Sequence, residues 1–275
     1  MSVDPSYDFH GHTAVVTGGS GVLCGALAAA LARRGAAVAI LAHGRLERAR
    51  DLAERLTADG ARAIALQADV MDREQLRVVH ADVNRHFGPV DLLINGAGGA
   101  RPEATTSPER PFAALPEAAV REVFDLNFMG TFLACQEFVG DMLTAGSGAI
   151  LNLASMGAVR PLTRSVAYSA AKAAVVNLTQ WLAVHLSQEY GPGVRVNALV
   201  PGFFLTEQNR FLLQEADGRT FTARGRRILE HTPMGRLGEP DDLVGPALFL
   251  LSDAARFVHG TTLAVDGGLG AFGGV

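Results

Sequence analysis

Two residues in the segment A-Y-S-A-A-K-A-A (167–174) could move a proton: Tyr168 and Lys172, four apart. On a helix that spacing puts both side chains on one face, one turn from each other. A lone phenol, with a pKa of about 10, is a poor base near neutrality. A neighbouring ammonium stabilises the phenolate and lowers that pKa. Such a pair offers acid–base chemistry at a carbonyl or a carbinol. Tyr-x-x-x-Lys also arises by chance on many helices, so the pair alone assigns nothing. Two further polar residues add weight. Ser155 closes the apolar run G-A-I-L-N-L-A-S (148–155), where its hydroxyl can hydrogen-bond a substrate carbonyl. Asn127 lies in D-L-N-F-M-G, inside a helix expected to pass behind the site.

The elements that must position these residues follow from periodicity. Seven short runs read as strands: 13–18, 37–42, 61–67, 90–95, 148–155, 194–200 and 261–267. Several are apolar at nearly every position, which suits strands buried on both faces of a parallel sheet. Helical patterns separate them. In R-E-Q-L-R-V-V-H-A-D-V-N-R-H-F-G, Leu76, Val79, Val83 and Phe87 recur at steps of three and four, and the closing Gly is a stop signal. Alternating strands and helices of these lengths predict an α/β fold: one domain over 1–275, with a doubly wound, mostly parallel seven-stranded sheet flanked by helices. Two stretches look irregular, 96–115 and 203–235, and the second reads as a substrate lid.

The first strand enters its helix through T-G-G-S-G-V-L-C-G (17–25). Gly19 and Gly21 would let the backbone approach a pyrophosphate, and the helix N-terminus would supply free N–H groups. Gly18, Ser20, Val22 and Leu23 complete this expected cradle. A glycine-rich turn with no ligand is the plainer alternative. Two later strand ends favour a dinucleotide. Asp69, followed by Val70, ends the third strand where an adenine would lie, and Asn95, Gly96, Ala97 and Gly98 end the fourth with small residues. At the end of the second strand, A-H-G-R (42–45) carries no carboxylate to grip a ribose 2′-hydroxyl. His43 and Arg45 could receive a 2′-phosphate instead, which favours NADP over NAD. Arg45 could equally be a solvated residue at a helix start.

Composition narrows the class. The 275 residues are 48% hydrophobic and 19% charged, with a formal net charge of -4. Nothing there favours nucleic acid or an anionic membrane as partner. The two cysteines, Cys24 and Cys135, fit neither a metal cluster nor a disulfide framework, so no metal is expected and a reducing cytoplasmic setting is the simplest reading. The opening M-S-V-D-P-S-Y-D-F-H-G-H lacks an apolar core, so no signal peptide is expected. No apolar run approaches the roughly 18 residues of a membrane span.

Taken in order, N-G-A-G, Asn127, Ser155, Tyr168-Ser-Ala-Ala-Lys172, P-G-F-F-L-T (201–206) and V-D-G-G (265–268) resemble the short-chain dehydrogenase/reductase family over about residues 10–268. The resemblance implies a catalytic tetrad. Tyr168 would be acid in reduction and base in oxidation, with Ser155 polarising the carbonyl. Lys172 would tune Tyr168 and bind the nicotinamide ribose, and Asn127 would hold a water that relays protons from Lys172. Pro201, Gly202, Phe204 and Thr206 would border the nicotinamide, Thr206 at the carboxamide. The resemblance also suggests a homotetramer built partly from the Asn127 and Tyr168 helices. The family's usual T-G-x-x-x-G-x-G is altered: Val22 and Cys24 stand where its later glycines fall. Together with R-P-L-T-R-S-V-A-Y-S-A-A-K-A-A and H-T-P-M-G-R-L-G-E-P, that variant resembles the fructuronate reductase (mannonate oxidoreductase) branch. Members of that branch usually carry an acidic residue where this chain has Ala42. Cys24 reads as a small packing residue.

A substrate of that type carries a carboxylate, which a guanidinium can hold with two parallel hydrogen bonds. Arg160 is the first candidate, and Arg164 also lies between Ser155 and Tyr168. Arg210, with Gln208 and Asn209, opens the expected lid. Any of these arginines could instead only stabilise loops. Phe203 and Phe204 are expected to exclude water, and His185 and His231 to be structural. The leading expectation is hydride transfer between NAD(P) and a ketone or secondary alcohol of a small sugar acid. Another keto-sugar, polyol or keto-acyl substrate is the alternative within that class, and a dinucleotide-binding protein without turnover is the alternative outside it.

Overall fold

The computed structural model describes residues 7–206, 210–218 and 220–274; Gln208 and Asn209 lie outside them. In chain order the elements are β1 (Thr13–Thr17), α1 (Val22–Arg33), β2 (Ala37–Ala42), α2 (Leu46–Ala58), β3 (Arg62–Gln67), α3 (Arg73–Phe87), β4 (Leu92–Asn95), α4 (Glu117–Ala145), β5 (Gly148–Leu153), α5 (Met156–Val159), α6 (Val166–Tyr190), β6 (Val194–Pro201), α7 (Arg210–Leu213), α8 (Ala223–Glu230), α9 (Val244–Leu251) and β7 (Thr262–Val265). The strands form one sheet in the order β3-β2-β1-β4-β5-β6-β7. Every pairing in it is parallel, not merely most of them.

The continuous apolar runs have a physical cause visible in β1 and β2. Ala14, Val16, Val38 and Ile40 face one core, packed with Leu27 of α1, Ala49 of α2 and Leu248 of α9. Val15, Ala39 and Leu41 face the other, with Val79 of α3, Phe138 of α4 and Leu186 of α6. Both faces of the sheet are therefore covered, and each buried Val or Leu side chain contributes about 1.5–3 kcal/mol. α3 begins where the Asp72 side chain accepts hydrogen bonds from the Glu74 and Gln75 N–H groups. α4 stops at Gly146, whose left-handed φ of 67° breaks the helix.

The stretches expected to be irregular carry more structure than their composition suggests. Residues 96–115 contain two single 3₁₀ turns, Pro102–Ala104 and Phe112–Ala114. The Thr106 N–H donates to the Arg164 carbonyl at 3.0 Å, which ties this loop to the segment before α6. The region 203–235 holds the short helices α7 and α8. α8 starts at Thr222, whose hydroxyl accepts from the Gly225 N–H.

Candidate active site

The parallel order brings the C-terminal ends of β1, β2, β4, β5 and β6 to one edge of the sheet. Ligands bind at that edge in sheets of this kind. A cavity of about 460 Å³ opens there. Ser155, Tyr168 and Lys172 share its wall with Ser20, Gly21 and Thr206.

Ser155 follows β5 directly and its Oγ accepts from the Gly157 N–H at 3.1 Å, which fixes the hydroxyl at the start of α5. Tyr168 and Lys172 stand one turn apart on α6. Lys172 is buried, and its Nζ donates to the Leu153 carbonyl at 2.7 Å. Burial pulls the Lys172 pKa down to about 8, opposed by the nearby Cys24 thiol. Burial also pushes the Tyr168 phenol up, partly offset by its hydrogen bond with Ser155. The sequence reading expects Lys172 to depress the Tyr168 pKa. Here the ammonium lies 5.8 Å from the centre of the Tyr168 ring and is bonded to a carbonyl, so burial dominates.

Asn127 is fully buried on α4. Its Oδ1 accepts from the Gly99 N–H at 3.1 Å, and its Nδ2 donates to the Gly99 and Val123 carbonyls, each at 2.8 Å. Gly98 lies between it and the ammonium. A Cβ at Gly98 would come within 2.4 Å of Asn127 Oδ1 and 3.4 Å of Lys172 Nζ. Asn127 thus ties the loop after β4 to α4, beside the Lys172 ammonium.

The glycine turn fits a dinucleotide phosphate. Gly18 has φ +67°, and a Cβ on it would strike the Gly96 carbonyl at 2.8 Å. α1 starts at Gly21 with no side-chain cap, so its first N–H groups are directed at the cavity edge. Gly18, Val22 and Leu23 line that edge with Ser20. Gly19 does not: its N–H donates to Leu41 O and its α-carbon abuts Ile40, so it seats the turn on β2. A second cavity, about 450 Å³, continues past the turn and is walled by His43, Arg45, Asp69, Val70, Ala97 and Gly98. His43 Nδ1 lies 3.7 Å from an Asp69 carboxylate oxygen. Gly96 borders the first cavity. The Asn95 side chain turns inward, donating to Asn152 Oδ1 at 2.9 Å, and is a buried strut between β4 and β5. At the far end, Pro201, Gly202 and Phe204 line the first cavity beside Thr206.

A third cavity, about 570 Å³, adjoins the first through Leu162 and Arg224. Arg160 and Arg164 line it, as expected for a substrate pocket, and Phe203 walls it. Arg210 does not line any of the three cavities: it is exposed on α7 and donates to Gln214 Oε1 at 2.8 Å. The arginines that α8 brings to the site are Arg224 and Arg227, which the sequence reading passes over. Their signal was A-R-G-R-R (223–227) behind a threonine cap, a cationic helix start inside the expected lid. His231 also lines this cavity, edge-on to Phe272 at 6.0 Å, and its Nδ1 lies 2.8 Å from the Arg227 carbonyl at the end of α8. His185 stacks on Trp181 at 4.6 Å, far along α6 from the cavities.

Residues 22–270 match the family model described as enoyl-(acyl carrier protein) reductase. The chain is 48% identical to an uncharacterised oxidoreductase, UxuB, of Bacillus subtilis over 274 residues, covering 96% of this chain and 97% of that protein. A crystal structure of a Haemophilus influenzae protein provisionally termed a D-mannonate oxidoreductase, with bound NAD, superposes with a TM-score of 0.92 at 40% identity, covering 99% of this chain and all of that one. A gluconate 5-dehydrogenase from Burkholderia cenocepacia, solved with NADP and tartrate, gives 0.84 at 33% identity over 97% of this chain and 98% of that one. The chain belongs to the short-chain dehydrogenase/reductase family. It is an NAD(P)-dependent oxidoreductase that interconverts alcohols and ketones. No helix among the described residues is long and apolar enough to cross a membrane.

Proposed function

We propose that this enzyme reduces the ketone of a small sugar acid, of the D-fructuronate/D-mannonate type, with Tyr168 as the proton donor. One observation carries the reading: Ser155, Tyr168 and Lys172 converge on a cavity that opens through Arg224 into a chamber walled by further arginines. When bound, the nicotinamide supplies and accepts the hydride. The chain's own residues do the rest. Ser155 orients and polarises the carbonyl. Tyr168 delivers its proton to the oxygen as the carbinol forms, and takes it back in oxidation. Lys172, held by Leu153 O, stabilises the phenolate left behind and holds the ribose. Asn127 keeps the loop after β4 in place and supports a water path to Lys172.

His43 and Arg45, lining the cavity at the end of β2 where Ala42 leaves no carboxylate, support NADP as the preferred cofactor. Residues 203–235, with α7 and α8, would act as the lid. A homotetramer is supported by the apolar and aromatic side chains left exposed on α6, Trp181, Val184 and Tyr190.

The test is steady-state reduction of D-fructuronate beside a panel of neutral and acidic keto-sugars, with NADH and NADPH in parallel. Fructuronate should be among the best substrates, and NADPH should exceed NADH in kcat/KM. Turnover confined to neutral ketones would discard the sugar-acid assignment. Binding of cofactor with no turnover across the panel would favour a non-catalytic role.

A further inference from the structure

The third cavity has an unusual electrical composition. Arg160 and Arg164 reach it from the segment between Ser155 and Tyr168, Arg224 and Arg227 from α8, and among the described residues no carboxylate lines it. The Glu109 carboxyl is held below its ordinary pKa chiefly by hydrogen bonds from its own backbone N–H and from Ser107, with the Arg164 charge adding a small part, so Arg164 is only weakly met. Among the described residues, Arg160, Arg224 and Arg227 make no ion pair. Three like charges around one cavity repel each other, and α8 carries two of them. The rest of the wall is largely apolar, including Leu162, Ile228 and Phe272. Arg160, Arg224 and Arg227 are exposed at the open side of the cavity, so their pull on an anion is screened by salt, and the apolar wall behind them limits that screening.

We infer, resting on the sugar-acid reading above, that Arg224 and Arg227 form with Arg160 a receptor for the acidic end of the substrate, distinct from the place where the carbonyl reacts. Arg224 borders both cavities, so it marks the junction between them. The carbonyl lies at Ser155 and Tyr168 in one cavity and the carboxylate in the next. The fitting substrate is an open-chain acid whose carboxylate is several carbons away from its ketone, and a 2-keto acid cannot serve both places at once.

Calorimetric titration tests this on the full-length enzyme loaded with NADPH, a state in which the probe D-mannonate binds but cannot react. D-mannitol, its neutral counterpart, is the control. The wild-type protein should prefer mannonate to mannitol by at least about tenfold, and Arg224→Gln/Arg227→Gln should erase that preference while leaving mannitol binding unchanged. Arg224→Lys/Arg227→Lys, which keeps the charge, should restore part of it, and Arg55→Gln, exposed near the end of α2 and lining none of the three cavities, should change nothing. Raising the salt should narrow the preference in the wild type and the lysine variant and leave the glutamine variant unchanged. A wild-type protein without that preference, or a glutamine variant that keeps it, overturns the receptor. Turnover of D-fructuronate by the same preparations reads the other assignment separately. Arginine-dependent mannonate binding without turnover would fail the proposed reaction alone. Turnover indifferent to Arg224 and Arg227 would fail the receptor alone.

Discussion

The ammonium of Lys172 donates to the main-chain carbonyl of Leu153 at 2.7 Å, nineteen residues away in sequence. The bond ties the proton-handling face of α6 to the end of β5, where Ser155 begins the next turn. It also holds a charge inside the protein, at a cost recorded in the drop of the Lys172 pKa from 10.5 to about 8.

That drop has a definite pH signature. Between about pH 8 and about 10.5 the unfolded chain binds a proton at Lys172 that the folded chain has lost, so this residue's contribution to stability rises with pH across the window. Denaturant unfolding of wild type and Lys172→Met at both ends of the window should show the wild type gaining on the variant by up to about 3 kcal/mol. The variant should also lose turnover. A difference in stability that stays flat with pH would show that Lys172 is not depressed in the folded state.

Tyr168→Phe removes only the phenolic oxygen. Removing a positioned acid–base group typically lowers the rate by about 10²–10⁴-fold, and kcat should fall in that range. NADPH binding, followed by nicotinamide fluorescence, should stay within a few-fold of wild type. A variant that keeps most of its activity would remove Tyr168 from its assigned role.

Cys24 fills the space above Gly96. A Cβ at Gly96 would lie 2.0 Å from Cys24 Sγ, so Gly96→Ala should overpack the junction of α1 and β4 and destabilise by about 1–3 kcal/mol. Cys24→Gly vacates that space, so Cys24→Gly/Gly96→Ala should recover part of the loss beyond additivity in thermal unfolding. Strict additivity would mean that the two positions do not compete for volume.

His80 links α3 to α4, with Nδ1 2.9 Å from Glu137 and Nε2 2.8 Å from Asp141. Burial by itself would lower its pKa, but the hydrogen bonds to Asp141 and Glu137 outweigh it and the pKa is raised above 6.5. Its stabilisation is therefore fully present below about pH 6.5 and is lost as pH rises through the higher folded value. The advantage of wild type over His80→Gln in urea midpoint should be largest in mild acid and shrink above neutrality. An advantage that grows with pH would contradict a protonated His80 bridge.

Much of the fold was legible because its causes are local. The runs T-A-V-V-T and A-V-A-I-L-A are apolar at consecutive positions because each strand feeds two cores, and that pattern alone implies a covered parallel sheet. The Tyr168–Lys172 spacing and the Gly18–Leu23 turn were equally plain, since helical pitch and backbone reach fix them within a few residues. Only the tertiary structure decided which loops face the reacting centre. Asn127 meets Gly99 across 28 residues, Lys172 finds Leu153 O, and α8 carries Arg224 and Arg227 to the cavity while Arg210 stays on the surface. The cationic start of α8 at 223–227 marks its arginines as candidates, but no local pattern encodes where any of these residues meet. Asn95 and Gly19 show the same limit: both stand at strand ends where a ligand was expected, and packing turns one toward Asn152 and seats the other on Ile40. Sequence periodicity determines which side of an element is buried. Which partner it is buried against depends on how distant elements pack, and that assigned the roles at this site.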